Sequence, residues 1–179
     1  MDIFPLRRTA STTVANNPYW EYRLDTYQLR DGTKHPYHYV HTRGSVMVVP
    51  ITESRQFVMV RQYRYLWQRE SIEFPGGGIP DGGNADLQAR HELQEEAGFL
   101  ASDLEHIGAF NPMNGVTDEC CNVYLARRLT PTAKATDPVE ETDVVLLDSD
   151  ELRARIADGT IWDGMTLAAW ALLSARGIV

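Results

Sequence analysis

A chain of 179 residues suits one domain of ordinary size with a core of its own. Hydrophobic residues make up 43% and charged residues 23%, near globular averages, which excludes wholesale disorder. The net charge of -8 excludes a nucleic-acid scaffold built on a broad basic surface, but not nucleotide binding, where a metal ion supplies local positive charge. No run of about 18 apolar residues is present, and the N-terminus lacks a signal-peptide core. A soluble, cytoplasmic protein with no membrane or nucleic-acid partner is therefore expected. Cys120 and Cys121 are neighbours, and neighbours on a strand point to opposite faces, so no intrachain disulfide is expected and a reducing compartment fits.

Residues 1–17, with Thr, Ser and Asn clustered from Thr9 to Asn17, predict an arm or irregular lead-in. Tyr19 to Leu29 is rich in Tyr, Trp and Leu, Asp31-Gly32 signals a turn, and Tyr37 to Thr42 is again aromatic and β-branched; together they predict a hairpin. Its aromatics, Tyr19, Trp20, Tyr22, Tyr37 and Tyr39, suit sheet packing, a dimer surface or a base-stacking platform. The expected division is a β-rich lobe over residues 1–42 and a main domain over 43–179. Ser45 to Ile51 and Gln56 to Gln62, separated by the polar turn Thr52 to Arg55, predict two core strands. Arg61 and Arg64 follow at a strand end facing a glycine-rich loop. They are either solvated surface charge or placed to meet phosphate, a role that suits the planar guanidinium fork. Trp67 either stacks on a base or packs beneath the loop.

The stretch from Glu73 to Phe99, EFPGGGIPDGGNADLQARHELQEEAGF, organises the chain. A short strand ends at Pro75, a loop with five glycines runs from Gly76 to Gly83, and a helix capped by Asn84 is closed by Gly98. Ala85, Ala89, Leu93 and Ala97 form a small-residue stripe for close packing on a sheet. Beside it Glu92, Glu95 and Glu96 fall within an arc of about 100°. Clustered like charges destabilise a helix by roughly 0.2–0.5 kcal/mol per close pair, so such a cluster points to a bound cation. Mg²⁺ takes a few carboxylates with water and substrate phosphate.

Beyond the helix, Leu104 to Phe110 predicts a strand, Asn111 to Glu119 a loop, and Cys120 to Ala126 another strand. A polar loop from Thr130 to Thr142 ends in Glu140 and Glu141, and Val144 to Leu147 is the last strand. Asp148 or Ser149 caps a short helix, with Glu151 available for a capping box and Gly159 as its stop. Asp163 caps a final helix whose apolar stretch, Thr166 to Ala175, must cover a sheet face.

The central stretch resembles the signature of the Nudix hydrolases, G-x5-E-x7-R-E-U-x-E-E-x-G-U, with U aliphatic or aromatic. Gly77, Glu92, Leu93, Glu95, Glu96, Gly98 and Phe99 fall on the pattern, whereas Gly83 and His91 replace its first Glu and its Arg. In the family those two positions resemble a salt bridge between loop and helix, so their joint loss reads as removal of a strut, which restoring both residues should rebuild. Gln62-Tyr63-Arg64 and Glu73-Phe74-Pro75-Gly76-Gly77 resemble the Q-x-R and E-x-P-A-G of the ADP-ribose and nucleotide-sugar branch.

The resemblance implies an α/β fold, a mixed sheet sandwiched between helices with an N-terminal β lobe, and a homodimer in which that lobe crosses to the partner. It implies hydrolysis of the pyrophosphate of a nucleoside diphosphate joined to a sugar or other group, dependent on Mg²⁺, with Mn²⁺ as second candidate. Arg64 would contact substrate phosphate, with Arg61 and Trp67 as further substrate-binding candidates. Glu92, Glu96 and the backbone carbonyl of Gly76 would hold metal, with Glu95 as ligand or supporting group. Glu95, Glu119, Glu140 and Glu141 are the candidates for general base. The loop NPMNGVTDE resembles S-P-G-x-x-x-E, with Gly115 and Glu119 in register. Asn114 stands where a Pro marks ADP-ribose specificity, which leaves the wider nucleoside diphosphate class. A second reading is an inactive Nudix fold that binds a nucleotide as a sensor or regulator, and a third, a plain dimerisation module, leaves the acidic cluster unexplained.

Overall fold

The computed structural model describes residues 5–134 and 142–179. Their packing groups them into two units: residues up to Gly44 together with Asn111–Cys120, and Ser45–Phe110 together with Cys121–Val179.

The first unit is an antiparallel sheet of β1 (Arg7–Asn16), β2 (Glu21–Gln28) and β3 (Lys34–His41), in that order. The irregular lead-in expected over residues 1–17 is overturned, because residues 7–16 form a strand along β2. Thr9, Thr12, Thr13 and Val14 favour extended backbone, but every residue of β1 is exposed, so the alternation that betrays a half-buried strand is missing. The expected hairpin is β2–β3, closed between Gln28 and Lys34. Its turn is held by Asp31, which accepts from the Thr33 amide at 2.9 Å and hydroxyl at 2.6 Å, and by Gly32 at φ +87°. The 111–120 loop lies along β3: the Val40 amide donates to the Val116 carbonyl at 2.9 Å, and Asp118 sits 2.7 Å from the His41 ring.

The second unit holds β4 (Ser45–Pro50), β5 (Phe57–Arg64), β6 (Arg69–Glu73), β7 (Gly76–Gly78), β8 (Phe99–Phe110), β9 (Cys121–Pro131) and β10 (Asp143–Leu147), with helices α1 (Ala85–Ala97), α2 (Ser149–Ala157) and α3 (Gly164–Ala175). One sheet is antiparallel, β10-β5-β6; the other is mixed, β7-β4-β9-β8, with β4 and β9 parallel. Alternation along β4 and β5 decides which face each residue serves. Val46, Val48, Val58 and Val60 pack with Ala89, Leu93 and Ala97 of α1. Met47, Val49, Phe57 and Met59 pack with Leu152 of α2, Ile161, and Ala169 and Leu173 of α3. Helices therefore cover both faces, and the fold is the expected α/β sandwich with a mixed sheet.

The end of the long hairpin was hidden in the sequence. β8 starts at Phe99, directly after α1, rather than at Leu104, because Phe99–Ala101 pairs with Leu129–Pro131 at the far end of β9. Cys120 and Cys121 form no disulfide, and among the described residues no helix is long and apolar enough to cross a membrane.

Candidate active site

Helix α1 begins and ends on local chemistry. Asn84, in extended conformation, accepts from the Leu87 amide at 3.1 Å, and Gly98 turns left-handed at φ 71° to close the last turn. Packing of Ala89, Leu93 and Ala97 against the sheet turns Glu92 and Glu96 inward, leaving them only 9% and 8% exposed. Glu95 stays exposed, so the glutamate arc divides into two buried carboxylates one turn apart and one at the surface.

The partner of this face is β7, where the glycine run was expected to be loop. Gly76–Gly78 instead pairs antiparallel with β4, Gly76 opposite Met47. Glycine makes this approach feasible, since a Cβ on Gly76 would stand 2.4 Å from the Val46 carbonyl oxygen. At the next position a Cβ would stand 2.2 Å from Glu92 Oε1, so the bare Gly77 backbone is the seat of that carboxylate. Gln88 Nε2 donates to the same Oε1 at 2.7 Å, and the Gly76 amide donates to Glu96 Oε2 at 2.8 Å. Buried carboxylates are costly unless partnered, and each receives a donor here.

Among the described residues, no three His, Cys, Asp or Glu side chains stand together as a cage for a metal ion. Mg²⁺ seldom uses such a cage: it takes one or two carboxylates and completes its shell with water and substrate phosphate. Two buried carboxylates against a strand with no side chains match that ligand count.

Arg64, at the end of β5, donates through Nε to Glu73 Oε1 at 2.7 Å and through Nη2 to Glu73 Oε2. That hydrogen bond holds the guanidinium pKa above its ordinary value, and the charges of Asp163 and Glu96 act in the same direction. Arg64 and the buried carboxylate Glu96 are held by one stretch of backbone, since Glu73 accepts from the first and the Gly76 amide donates to the second. Arg61 instead pairs with Asp143 at 2.7 Å and stands 3.9 Å from Glu70, and it holds the Asp143 carboxyl below its usual range. Trp67 is exposed; its ring centroid lies 5.4 Å from that of Trp162, with the Arg69 guanidinium 3.9 Å over Trp162. Glu119 belongs to the first unit, where its backbone carbonyl accepts from Asn111 at 2.6 Å. Glu140 and Glu141 lie outside the described residues.

Sequence reading missed Glu73 as the partner of Arg64. The two stand nine positions apart in the chain, and the β5–β6 register, Val60 opposite Glu73 and Arg64 opposite Arg69, sets both on one face at opposite ends of the ladder, from which their long side chains meet. It also missed a cavity of about 450 Å³ in the first unit, lined by Tyr37, Tyr39, Arg8, Asp25, Asn114 and Thr117. There Asp25 Oδ1 and Thr117 Oγ1 are buried without a hydrogen-bond partner.

The family model of the NUDIX domain matches residues 41–168. A methanol dehydrogenase activator of Bacillus methanolicus is 30% identical over 149 residues, 82% of this chain and 80% of that protein. An ADP-ribose pyrophosphatase of Bacillus subtilis (strain 168) is 29% identical over 149 residues, 82% of this chain and 77% of its own length. A crystal structure of an ADP compounds hydrolase superposes with a TM-score of 0.83 over the whole of both chains at 22% identity, a likeness of fold. With its helix, glycine strand and paired glutamates in place, the chain belongs to the NUDIX family, as a pyrophosphohydrolase of the branch that holds the ADP-ribose pyrophosphatases.

Proposed function

We propose that this protein hydrolyses the pyrophosphate bond of a nucleoside diphosphate joined to a sugar or other group, with ADP-ribose and nucleotide sugars as the substrate class. The observation that carries the reading is the pair of buried carboxylates, Glu92 and Glu96, against the β7 backbone, with the guanidinium of Arg64 anchored on Glu73, three residues before the Gly76 amide that holds Glu96. The name of the Bacillus subtilis relative points the same way.

Glu92, Glu96 and the Gly76 carbonyl are the groups that would hold Mg²⁺ or Mn²⁺. Such an ion, when bound, lowers the pKa of water and neutralises charge on phosphate oxygens. Arg64 contributes directed N–H donors to a phosphate oxygen, the contact for which a planar fork is suited. Glu95, Glu119, Glu140 and Glu141 remain the candidates to accept the proton of the attacking water. Phosphoryl chemistry needs positioning and electrostatics above all, which suits a site with no protein nucleophile. The presence of two carboxylates in so buried a pair counts against the inactive-sensor reading, because a site that only binds a nucleotide has less need of acidic ligands for metal. The proposal includes a homodimer built through the N-terminal strands and a cytoplasmic location.

The test is an assay with Mg²⁺ and a panel of nucleoside diphosphate compounds, read as phosphomonoester products, on the wild type and Glu96→Gln. Turnover by the wild type and its loss in a folded Glu96→Gln protein is expected. Equal rates for the two would remove Glu96 from the chemistry, and no turnover of any compound would defeat the proposal.

A further inference from the structure

We propose that Glu73 is a positioning residue for this reaction: its buried carboxylate sets the plane of the Arg64 guanidinium for substrate phosphate. The inference rests on the reading that Arg64 meets that phosphate. The two partners are unequally placed, with the Glu73 side chain 4% exposed and that of Arg64 46% exposed. A tie that served only to hold β5 to β6 would duplicate the strand ladder that already joins them from Val60–Glu73 to Arg64–Arg69. The fork engages Nε and one N–H of Nη2, two of the five donors of a guanidinium, and leaves the Nη1 edge for an acceptor outside the pair. Gln62 Nε2 reaches the same carboxylate at 3.4 Å, which further limits its rotation.

The segment that carries Glu73 is itself fixed. The next amide, of Phe74, donates to Thr166 Oγ1 of α3 at 3.2 Å, and two residues further on the Gly76 amide holds Glu96. One short stretch of backbone thus sets both a cation and a carboxylate of the site. An unanchored arginine has many rotamers to lose on binding, and an anchored one has few, so Glu73 contributes order rather than charge.

That distinction gives the proposal a sign. On charge alone, removing a carboxylate from beside Arg64 should make an anionic substrate bind more tightly. Positioning requires the opposite. With ADP-ribose as probe and Mg²⁺ present, Glu73→Gln should raise KM about tenfold, the scale of one immobilised arginine side chain, with a smaller change in kcat. Glu73→Asp, which keeps the charge, should recover part of the loss. In an Arg64→Ala background, Glu73→Gln should have no further effect on KM. An unchanged or lowered KM for Glu73→Gln beside a raised KM for Arg64→Ala overturns the role of Glu73 and leaves that of Arg64 standing. An unchanged KM for Arg64→Ala, or no turnover of ADP-ribose by the wild type, overturns both. If Glu73→Gln does not fold, Arg64→Lys decides: it keeps the cation but cannot make the fork, so a wild-type KM there also overturns the proposal.

Discussion

Gly77 shows how much of this site depends on an absent side chain. A methyl group there would overlap Glu92 Oε1, and the atom that must yield is the end of a flexible side chain rather than backbone. Gly77→Ala should therefore leave the melting temperature almost unchanged while displacing the carboxylate. A displacement of about 1 Å costs on the order of a hundredfold in rate, so the assay should show a loss of that size. A second residue-scale expectation concerns Tyr124, which is buried on β9 and donates to Asp86 at 2.5 Å. Burial, and then the hydrogen bond to Asp86, raise its pKa above the ordinary 10.0. A raised folded-state pKa gives a stability contribution that is full below pH 10 and lost as pH climbs beyond it, because only the unfolded phenol then ionises freely. Urea unfolding between about pH 8 and 11 should show stability declining at the alkaline end, and Tyr124→Phe should flatten that decline.

Elements differ in how far the sequence discloses them, and the difference is physical. Helix α1 was legible from Asn84 to Gly98 because its caps are single residues acting on their own neighbours, and the same holds for Asp148 with Glu151 and for Asp163. The alanine stripe was legible too, but the division of the glutamates beside it into two buried and one exposed shows only in the packing. Strand β7 was not legible, since a run of glycines carries no pattern of faces, and β1 was hidden by full exposure. The pairing of Arg64 with Glu73 depends on hairpin register, which local sequence does not encode. The lost strut was legible as an absence, but the turn at Gly83 stands against rebuilding it. Gly83 closes a turn by donating to the Pro80 carbonyl at 2.9 Å, and a Cβ there would stand 2.9 Å from the Pro80 oxygen and from two of its ring carbons. Gly83→Glu should then destabilise by about 1–3 kcal/mol through overpacking, and His91→Arg should not restore the loss. A favourable coupling between the two substitutions in a denaturant double-mutant cycle would show that the turn can open to admit the strut.

At the scale of the whole molecule, the two faces of the second unit divide the work. One carries α2 and α3 over a large apolar cluster, and the other carries α1 over a smaller one whose alanines leave room for the carboxylates. Both clusters depend on β4, which has β7 on one side and β9, in parallel, on the other. The register joins Ser45 to Cys121 and Pro50 to Ala126, so β5 to β8 and α1 all lie between the partners in sequence. The consequence concerns time. During synthesis the signature helix leaves the ribosome well before β9 does, and until then the strand beneath it lacks one neighbour. Pairing across so long a stretch of chain is slow to form, on the order of milliseconds to seconds in refolding. Pulse-labelled hydrogen exchange should find amides of β4 and β9 becoming protected in one phase, with recovery of turnover in that phase and not before; activity that returned ahead of it would mean the carboxylates are seated without the parallel pair. A chain interrupted short of β9 would leave the apolar edge of β4 open, a ready template for aggregation, and so would be worse than inactive.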